Sequence, residues 1–218
     1  MIIIHIANYN DNENSLFLYH EFSKYCKEVY ITDSGSTIQD PLFISTGRPY
    51  GHLEKIREIV KDKEYKGVLG ICGDVLITPE NVKNLVEKLQ ELDNSIGMYS
   101  PIVNGKSHNW LKAPMNNSID EIPFCEGMIY YCSKETLDHI YSKLIPYENP
   151  IGFGMDIYYS YLTREIGKRV VIDRTVYVHH CDKTRYDTTQ SGNEGIEFIR
   201  SKGKDFQDYC RQLIGIVT

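Results

Sequence analysis

The fold turns on one run of residues, Gly67-Val68-Leu69-Gly70-Ile71-Cys72-Gly73-Asp74-Val75-Leu76-Ile77-Thr78-Pro79. Its first part, Gly67 to Ile71, is short and nearly apolar, which reads as a buried strand. Thr78-Pro79 then provides an N-cap followed by proline at the first helical position. Val82, Leu85, Val86, Leu89 and Leu92 continue at a spacing near the helical repeat of about 3.6. Working upstream, Ile2 to Ile6 is a second apolar run, broken by Asn8-Tyr9-Asn10-Asp11-Asn12. Leu16, Phe17, Phe22 and Tyr25 fit one side of a helix over residues 14–26. Val29 to Thr32 reads as a strand, closed by the turn-rich Asp33-Ser34-Gly35-Ser36-Thr37. Leu53, Ile56, Ile59 and Val60 again have helical spacing. Strand followed by helix, three times over, predicts a mostly parallel sheet flanked by helices.

Downstream the pattern loosens. Ile96 to Tyr99 adds a strand, and the polar residues 104–123 read as a loop over the sheet edge. Met128 to Tyr131 is strand-like, and Ser133 caps a helix reaching about Lys143. Pro146 to Gly154 is a loop, followed by a helix from Asp156 to Ile166. Val170 to Ile172 and Thr175 to His179 read as two short strands. The tail, about residues 194–214, is amphipathic through Ile196, Ile199, Phe206, Tyr209 and Leu213. Neither an internal repeat nor a low-complexity linker divides the chain, so residues 1–218 are expected to form one domain.

Composition narrows the function classes. Lys plus Arg is 24 and Asp plus Glu is 30, a net charge of −6, the wrong sign for a chain that coats nucleic acid. No apolar run approaches the ~20 residues that cross a bilayer. The start, Met1-Ile2-Ile3-Ile4-His5-Ile6, lacks a basic segment and a small-residue cleavage site and reads as a strand, not a signal peptide. Cys26, Cys72, Cys125, Cys132, Cys181 and Cys210 form no CxxC pair, which excludes a zinc ribbon. Free thiols in a reducing cytoplasm are expected.

In a parallel α/β sheet, ligands bind beyond the carboxyl ends of the strands. Three polar segments fall there: Asn8 to Asp11, Asp33 to Ser36, and Cys72-Gly73-Asp74. Each also suits a surface turn. No GxGxxG follows the first strand and no GxxxxGK[ST] occurs, which disfavours an ordinary dinucleotide site and excludes a P-loop. Asp74 lies between apolar runs and must be satisfied, since an unpaired buried charge is costly. It is either a paired structural group or a ligand for Mg2+ or Mn2+, hard ions that favour carboxylate oxygen and bridge phosphates. Asp156 follows Gly152-Phe153-Gly154-Met155 at a helix start. There it is either a carboxylate favoured by the helix dipole or a general base over the sheet end. His179 and His180 end a strand, so they point to opposite sides and only one can face a common site. Lys183 and Arg185 follow and are placed to neutralise a diphosphate. Arg48 and His52 are further candidates for a phosphate or sugar contact.

Taken in order, these segments resemble family 2 glycosyltransferases with the nucleotide-sugar-binding GT-A fold. Ile4-His5-Ile6-Ala7-Asn8-Tyr9-Asn10 is similar to that family's first strand followed by Thr-Tyr-Asn. Val29-Tyr30-Ile31-Thr32-Asp33-Ser34-Gly35-Ser36-Thr37 resembles its Val-Val-Asp-Asp-Gly-Ser-Thr segment. Cys72-Gly73-Asp74-Val75 with Thr78-Pro79-Glu80 resembles its metal-binding strand end and the helix after it. Phe124-Cys125-Glu126-Gly127-Met128, Gly154-Met155-Asp156, Gly167-Lys168-Arg169-Val170 and Val178-His179 follow in the family's order. The resemblance covers about residues 2–181.

It implies a GT-A-like single α/β domain, Rossmann-like, with a nucleotide-sugar-binding half at about 1–100. An acceptor-binding half with a C-terminal helix would occupy about 101–218. The implied donor is a nucleotide-diphosphate sugar, UDP-linked by default, and the acceptor is a glycan, lipid-linked or protein hydroxyl. Asn8 or Tyr9 would line the base pocket, Asp33 would contact base or ribose, and Gly35, Ser36 and Gly73 belong to the same donor loops. Asp74 would hold Mn2+ or Mg2+ on the diphosphate, and Asp156 would deprotonate the acceptor for displacement with inversion. Trp110, Glu126 and Gly127 are placed on the acceptor side. Two departures stand out. The family's Asp-x-Asp is here Cys72-Gly73-Asp74, so His179 or His180 is the candidate to complete the metal site. Its Glu-Asp is Met155-Asp156. A retaining transferase on the same fold and a catalytically inactive binding module are the competing readings. The implied setting is cytoplasmic or peripheral to a membrane, with no span, as a homo-oligomer or as part of a larger protein.

Overall fold

The computed structural model describes residues 1–48, 51–104, 118–145, 152, 154–181 and 188–214. The elements run β1 (Ile2–Asn8), α1 (Asn12–Ser23), β2 (Glu28–Asp33), β3 (Phe43–Ser45), α2 (His52–Val60), β4 (Gly67–Cys72), β5 (Val75–Leu76) and α3 (Pro79–Glu91). They continue with β6 (Ile96–Val103), β7 (Ile119–Glu121), β8 (Ile129–Ser133), α4 (Lys134–Lys143), α5 (Met155–Glu165), β9 (Arg169–His180), α6 (Thr188–Ser201) and α7 (Lys204–Ile214).

The strands form one mixed sheet in the order β3-β2-β1-β4-β8-β6-β9-β5, with β7 paired to β9. β1, β2, β3 and β4 are mutually parallel. β8 runs against both β4 and β6, which sets β6 in the direction of β4, and β9 is parallel to β6. Six of the nine strands among the described residues therefore run one way, with β5, β7 and β8 reversed. This is the mostly parallel, helix-flanked α/β sheet expected from the alternation of elements.

Alternation of side chains along each strand builds two cores. On one face Ile2, Ile4, Ile6, Leu69, Ile71 and Tyr99 pack against Leu18 and Phe22 of α1 and Val82, Leu85, Val86 and Leu89 of α3. On the other, Ile3, Val68, Met98, Cys132, Val170 and Ile172 pack against α2, α4, α5, α6 and α7 through Ile56, Ile140, Leu162, Phe198 and Phe206. The two helix starts read from the sequence have their caps: Thr78 Oγ1 accepts from Asn81 N at 3.2 Å, and Ser133 Oγ accepts from Thr136 N at 3.2 Å.

Several elements differ from expectation. The two short strands read at residues 170–172 and 175–179 are one strand, β9. The polar Asp173-Arg174-Thr175 between them is an irregularity, where Pro101 and Ile102 of β6 face Asp173 and Tyr177. Burial of those charges is compensated: Tyr99 Oη donates to Asp173 Oδ2 at 2.9 Å, Thr175 N donates to Asp173 Oδ1 at 2.8 Å, and Arg174 pairs with Asp120. That Asp120 sits on β7, a strand inside the stretch read as loop. The tail is two helices, not one. β3 and β5 are too short for periodicity to reveal, and both form by pairing with distant strands.

Candidate functional site

The carboxyl ends of β2, β1, β4, β6 and β9, with the amino end of reversed β8, share one edge of the sheet. Along it stand Asp33, Asn8, Cys72-Gly73-Asp74, Glu126-Gly127, Asn104 and His180. Neighbouring strands are about 4.8 Å apart, so Asp33 and the end of β4 are separated by roughly 10 Å.

Asn8 and Asp33 are fully buried side by side at the β1 and β2 ends. Asn8 Nδ2 donates to Asp33 Oδ1 at 2.7 Å and to Asn12 Oδ1 at 2.8 Å. Its Oδ1 accepts from Ser15 Oγ at 2.9 Å. Asp33 Oδ2 accepts the backbone N–H groups of Gly35 and Ser36 at 3.1 and 3.0 Å, and Ser36 Oγ donates to Oδ1. Burial raises the Asp33 carboxyl, but these donors outweigh it and hold the group below its ordinary value, ionised near neutrality. Gly35 takes φ +106° to make this turn, a conformation that favours glycine. Tyr9 lies at the rim, 39% exposed. Arg48, three residues after β3, is half-buried.

Gly73 is where backbone meets this network. Its N–H donates to Ala7 O at 2.8 Å, and an added Cβ would stand 2.5 Å from Ser15 Oγ and 3.2 Å from Ala7 O. Rotating Ser15 away would break its bond to Asn8, so the position requires glycine. Asn14 Nδ2 clamps the same turn, donating to the carbonyls of Gly73 and Val75 at 2.6 and 2.8 Å. Asp74 is thereby aimed at the end of β9, where His180 Nε2 lies 3.2 Å from Asp74 Oδ2. Val75 is in register with His180 and Leu76 with His179. His179 is exposed on the opposite side of the strand, so of the two candidate histidines only His180 meets Asp74.

Among the described residues no group of three or more His, Cys, Asp or Glu side chains converges as a metal cage. The Asp74–His180 pair suits an ion that takes its remaining ligands from water and phosphate, as Mg2+ and Mn2+ do.

Asp156 is the second residue of α5, and its Oδ1 accepts from Ile157 N at 2.8 Å. Gly154, at φ +84°, turns the chain into the helix. The other end of α5 leads through Gly167 into Arg169, opposite Ile96 at the start of β6. Asp156 therefore sits at the carboxyl edge of the sheet. It is close enough to Cys210 of α7 that its charge adds to burial in pushing that thiol up to about 12. Cys125 N donates to Ser160 Oγ at 3.2 Å, which ties the segment before β8 to the first turns of α5. Glu126 is buried there, and Gly127 O lies beside Cys72, 3.7 Å from its Sγ. Trp110, Lys183 and Arg185 lie outside the described residues. Asn14, Ser15 and Asn104 were not singled out from the sequence. The one signal for Asn14 was the run of asparagines at 8, 10, 12 and 14.

His52 is not a surface cation. Thr32 Oγ1 bridges His5 Nε2 at 2.7 Å and His52 Nδ1 at 2.6 Å. Burial, reinforced by His52, lowers His5 to about 3; burial lowers His52 to about 4 against the opposing pull of Asp33. Both rings are neutral at pH 7, which removes His52 as a charge for phosphate. The unfolded chain binds these protons near the ordinary histidine value of 6.5 while the folded one does not. Stability is therefore full above that pH and falls as pH drops toward about 4. Urea midpoints measured between those limits are expected to decrease with acid, and to decrease less in His5→Gln. A flat profile contradicts the neutral pair.

The sheet order, with polar groups gathered at its carboxyl edge, is that of a mixed, mostly parallel α/β fold that matches GT-A structures. The chain is similar to GalNAc-T7, solved with UDP, GalNAc and Mn2+, at a TM-score of 0.70 and 12% identity over 97% of this chain. It spans 49% of that protein's chain, about half its length. It is also similar to glucosyl-3-phosphoglycerate synthase from Mycobacterium tuberculosis. With Mg2+ and UDP, that structure matches at a TM-score of 0.61 and 15% identity, covering 100% of this chain and 80% of the other. With Mn2+, UDP-glucose and phosphoglyceric acid the score is 0.62, at 16% identity, over 92% of this chain and 79% of the other. No protein-family model and no curated protein matches the sequence. No helix among the described residues is long and apolar enough to cross a membrane.

Proposed function

We propose that this chain moves a sugar from a nucleoside diphosphate sugar, UDP-linked by default, to an acceptor hydroxyl with inversion, as a family 2-like glycosyltransferase. The observation that carries the reading is the alignment, on one sheet edge, of the ionised Asn8–Asp33–Ser36 network with the Asp74–His180 pair. The first supplies fixed polar groups for base and ribose. The second supplies two donors that would hold Mn2+ or Mg2+, whose chemistry is to offset charge on a departing diphosphate.

The residues divide the work. Asp33, with its own charge satisfied by Gly35 and Ser36, is rigid enough to orient a ribose. Tyr9 at the rim offers a ring face to a base. Asp156 stands at the sheet edge as the carboxylate that takes the acceptor proton while the acceptor oxygen bonds to the anomeric carbon. The bond from that carbon to the diphosphate oxygen breaks, and the nucleoside diphosphate leaves with the electron pair. Lys183 and Arg185 follow His180 closely enough in sequence to serve the leaving charge. Glu126, Gly127 and Trp110 remain assigned to the acceptor. The acceptor is a glycan, lipid-linked or protein hydroxyl, and nucleic acid is not a partner. All six cysteines are free, which supports work in a reducing compartment, in solution or against a membrane surface.

The test is incubation with UDP-, GDP- and dTDP-sugars and Mn2+ while free nucleoside diphosphate is measured. Release from one donor, stimulated by a sugar or lipid-linked acceptor, is expected. The thiol of Cys72, standing where a first carboxylate is expected, favours a second reading as a sugar-nucleotide-binding module. Binding without release is its signature.

A further inference from the structure

The carboxyl end of β6 carries a polar side chain that the reading above does not use. Asn104 follows Val103, is half-buried, and stands beside β9 at the same edge as the Asp74–His180 pair. Its backbone N–H donates to Val178 O at 3.3 Å, and its Oδ1 accepts the backbone N–H of His180 at 2.8 Å. That second bond settles the orientation of the amide. A backbone N–H can only donate, so the atom facing it must be the carbonyl oxygen. The amide nitrogen, with two N–H donors, therefore points away from β9. No described residue accepts from it.

We infer that Asn104 is a ligand-binding residue of the donor site. Its Oδ1 pins the backbone of His180, and its Nδ2 donates to an oxygen of the bound nucleotide sugar beyond the ribose. The placement argues for that part of the ligand. In the strand order β2-β1-β4-β8-β6, Asn104 follows the strand that lies beyond β4 from Asp33, so a donor whose ribose meets Asp33 and whose diphosphate passes the end of β4 presents its outer phosphate or sugar to Asn104. Both carry acceptor oxygens suited to an amide N–H, and an anionic one strengthens the bond. This inference rests on the transferase reading and adds a residue to it.

Asn104→Asp separates the two jobs. The aspartate keeps an oxygen for the His180 N–H but replaces the two donors with a charge of the same sign as a diphosphate. Asn104→Leu removes both. Titration calorimetry with Mn2+ would use UDP, GDP or dTDP, whichever the wild-type chain binds, and then its glucose conjugate. Thermal melting of each variant is measured alongside. Asn104→Asp is expected to melt like the wild type and to bind about tenfold or more weakly. A loss already present with the bare diphosphate assigns the contact to phosphate, and one confined to the conjugate assigns it to the sugar. Equal affinity of Asn104→Asp and wild type for both ligands overturns the inference and leaves the transferase reading intact. Failure of the wild type to bind any of the three nucleotides overturns both.

Discussion

Asp156→Asn is expected to lower the rate of sugar transfer by about 10²–10⁴-fold, the range a positioned general base contributes. The amide preserves shape and still accepts from Ile157 N through its carbonyl oxygen, so α5 should start unchanged after Gly154. It cannot accept a proton from an attacking hydroxyl. Donor binding should be retained, because Asp156 stands on α5 and not among the β1, β2 and β4 end loops. The loss should therefore appear in kcat with little change in the donor KM. The check is a steady-state assay of nucleoside diphosphate release with acceptor present. Equal loss in donor affinity, or no loss in rate, removes Asp156 as the base. Survival of the reaction with retained anomeric configuration points to the retaining alternative.

Asp74→Ala is expected to weaken Mn2+-supported nucleotide binding roughly a hundredfold or more, since loss of an outer-shell partner alone costs about 10–100-fold in metal affinity. The fold should survive. The turn that carries Asp74 is held by backbone, through Gly73 N to Ala7 O and Cys181 N to Asp74 O, and by the Asn14 clamp. His180 alone is a poor anchor for a hard ion. Titration of the nucleotide with and without Mn2+, on wild type and variant, reads the effect. Binding that ignores both Mn2+ and Asp74 keeps a nucleotide site but withdraws the metal.

Much of the edge was legible because polar residues interrupt apolar strands where a parallel sheet puts its ligands. Ile2–Asn8 and Glu28–Asp33 end on polar groups and Gly67–Cys72 runs directly into Gly73-Asp74, so Asn8, Asp33 and Asp74 stood out locally. The choice between His179 and His180 was partly legible. Alternation allows one of them, but the register of Val75 with His180 decides which, and that register follows from a long-range pairing. The same cause hid Asn104 and Asn14. Asn104 is an ordinary loop asparagine until β6 meets β9, and Asn14 an ordinary helix-start asparagine until α1 meets the β4–β5 turn. His52 misled for the opposite reason. At a helix start it reads as a candidate phosphate or sugar contact, and only the bridge through Thr32 to His5 shows a neutral, half-buried ring. Asp173-Arg174 likewise reads as a break between strands, until Tyr99 and Asp120 supply the partners that let one strand run through it.

The most direct test of a donor site at this edge is calorimetric titration of the wild-type chain with UDP, GDP and dTDP, each with and without Mn2+. Saturable binding of one nucleotide, strengthened by Mn2+, is the predicted result. A folded chain that binds none of the three under either condition contradicts it.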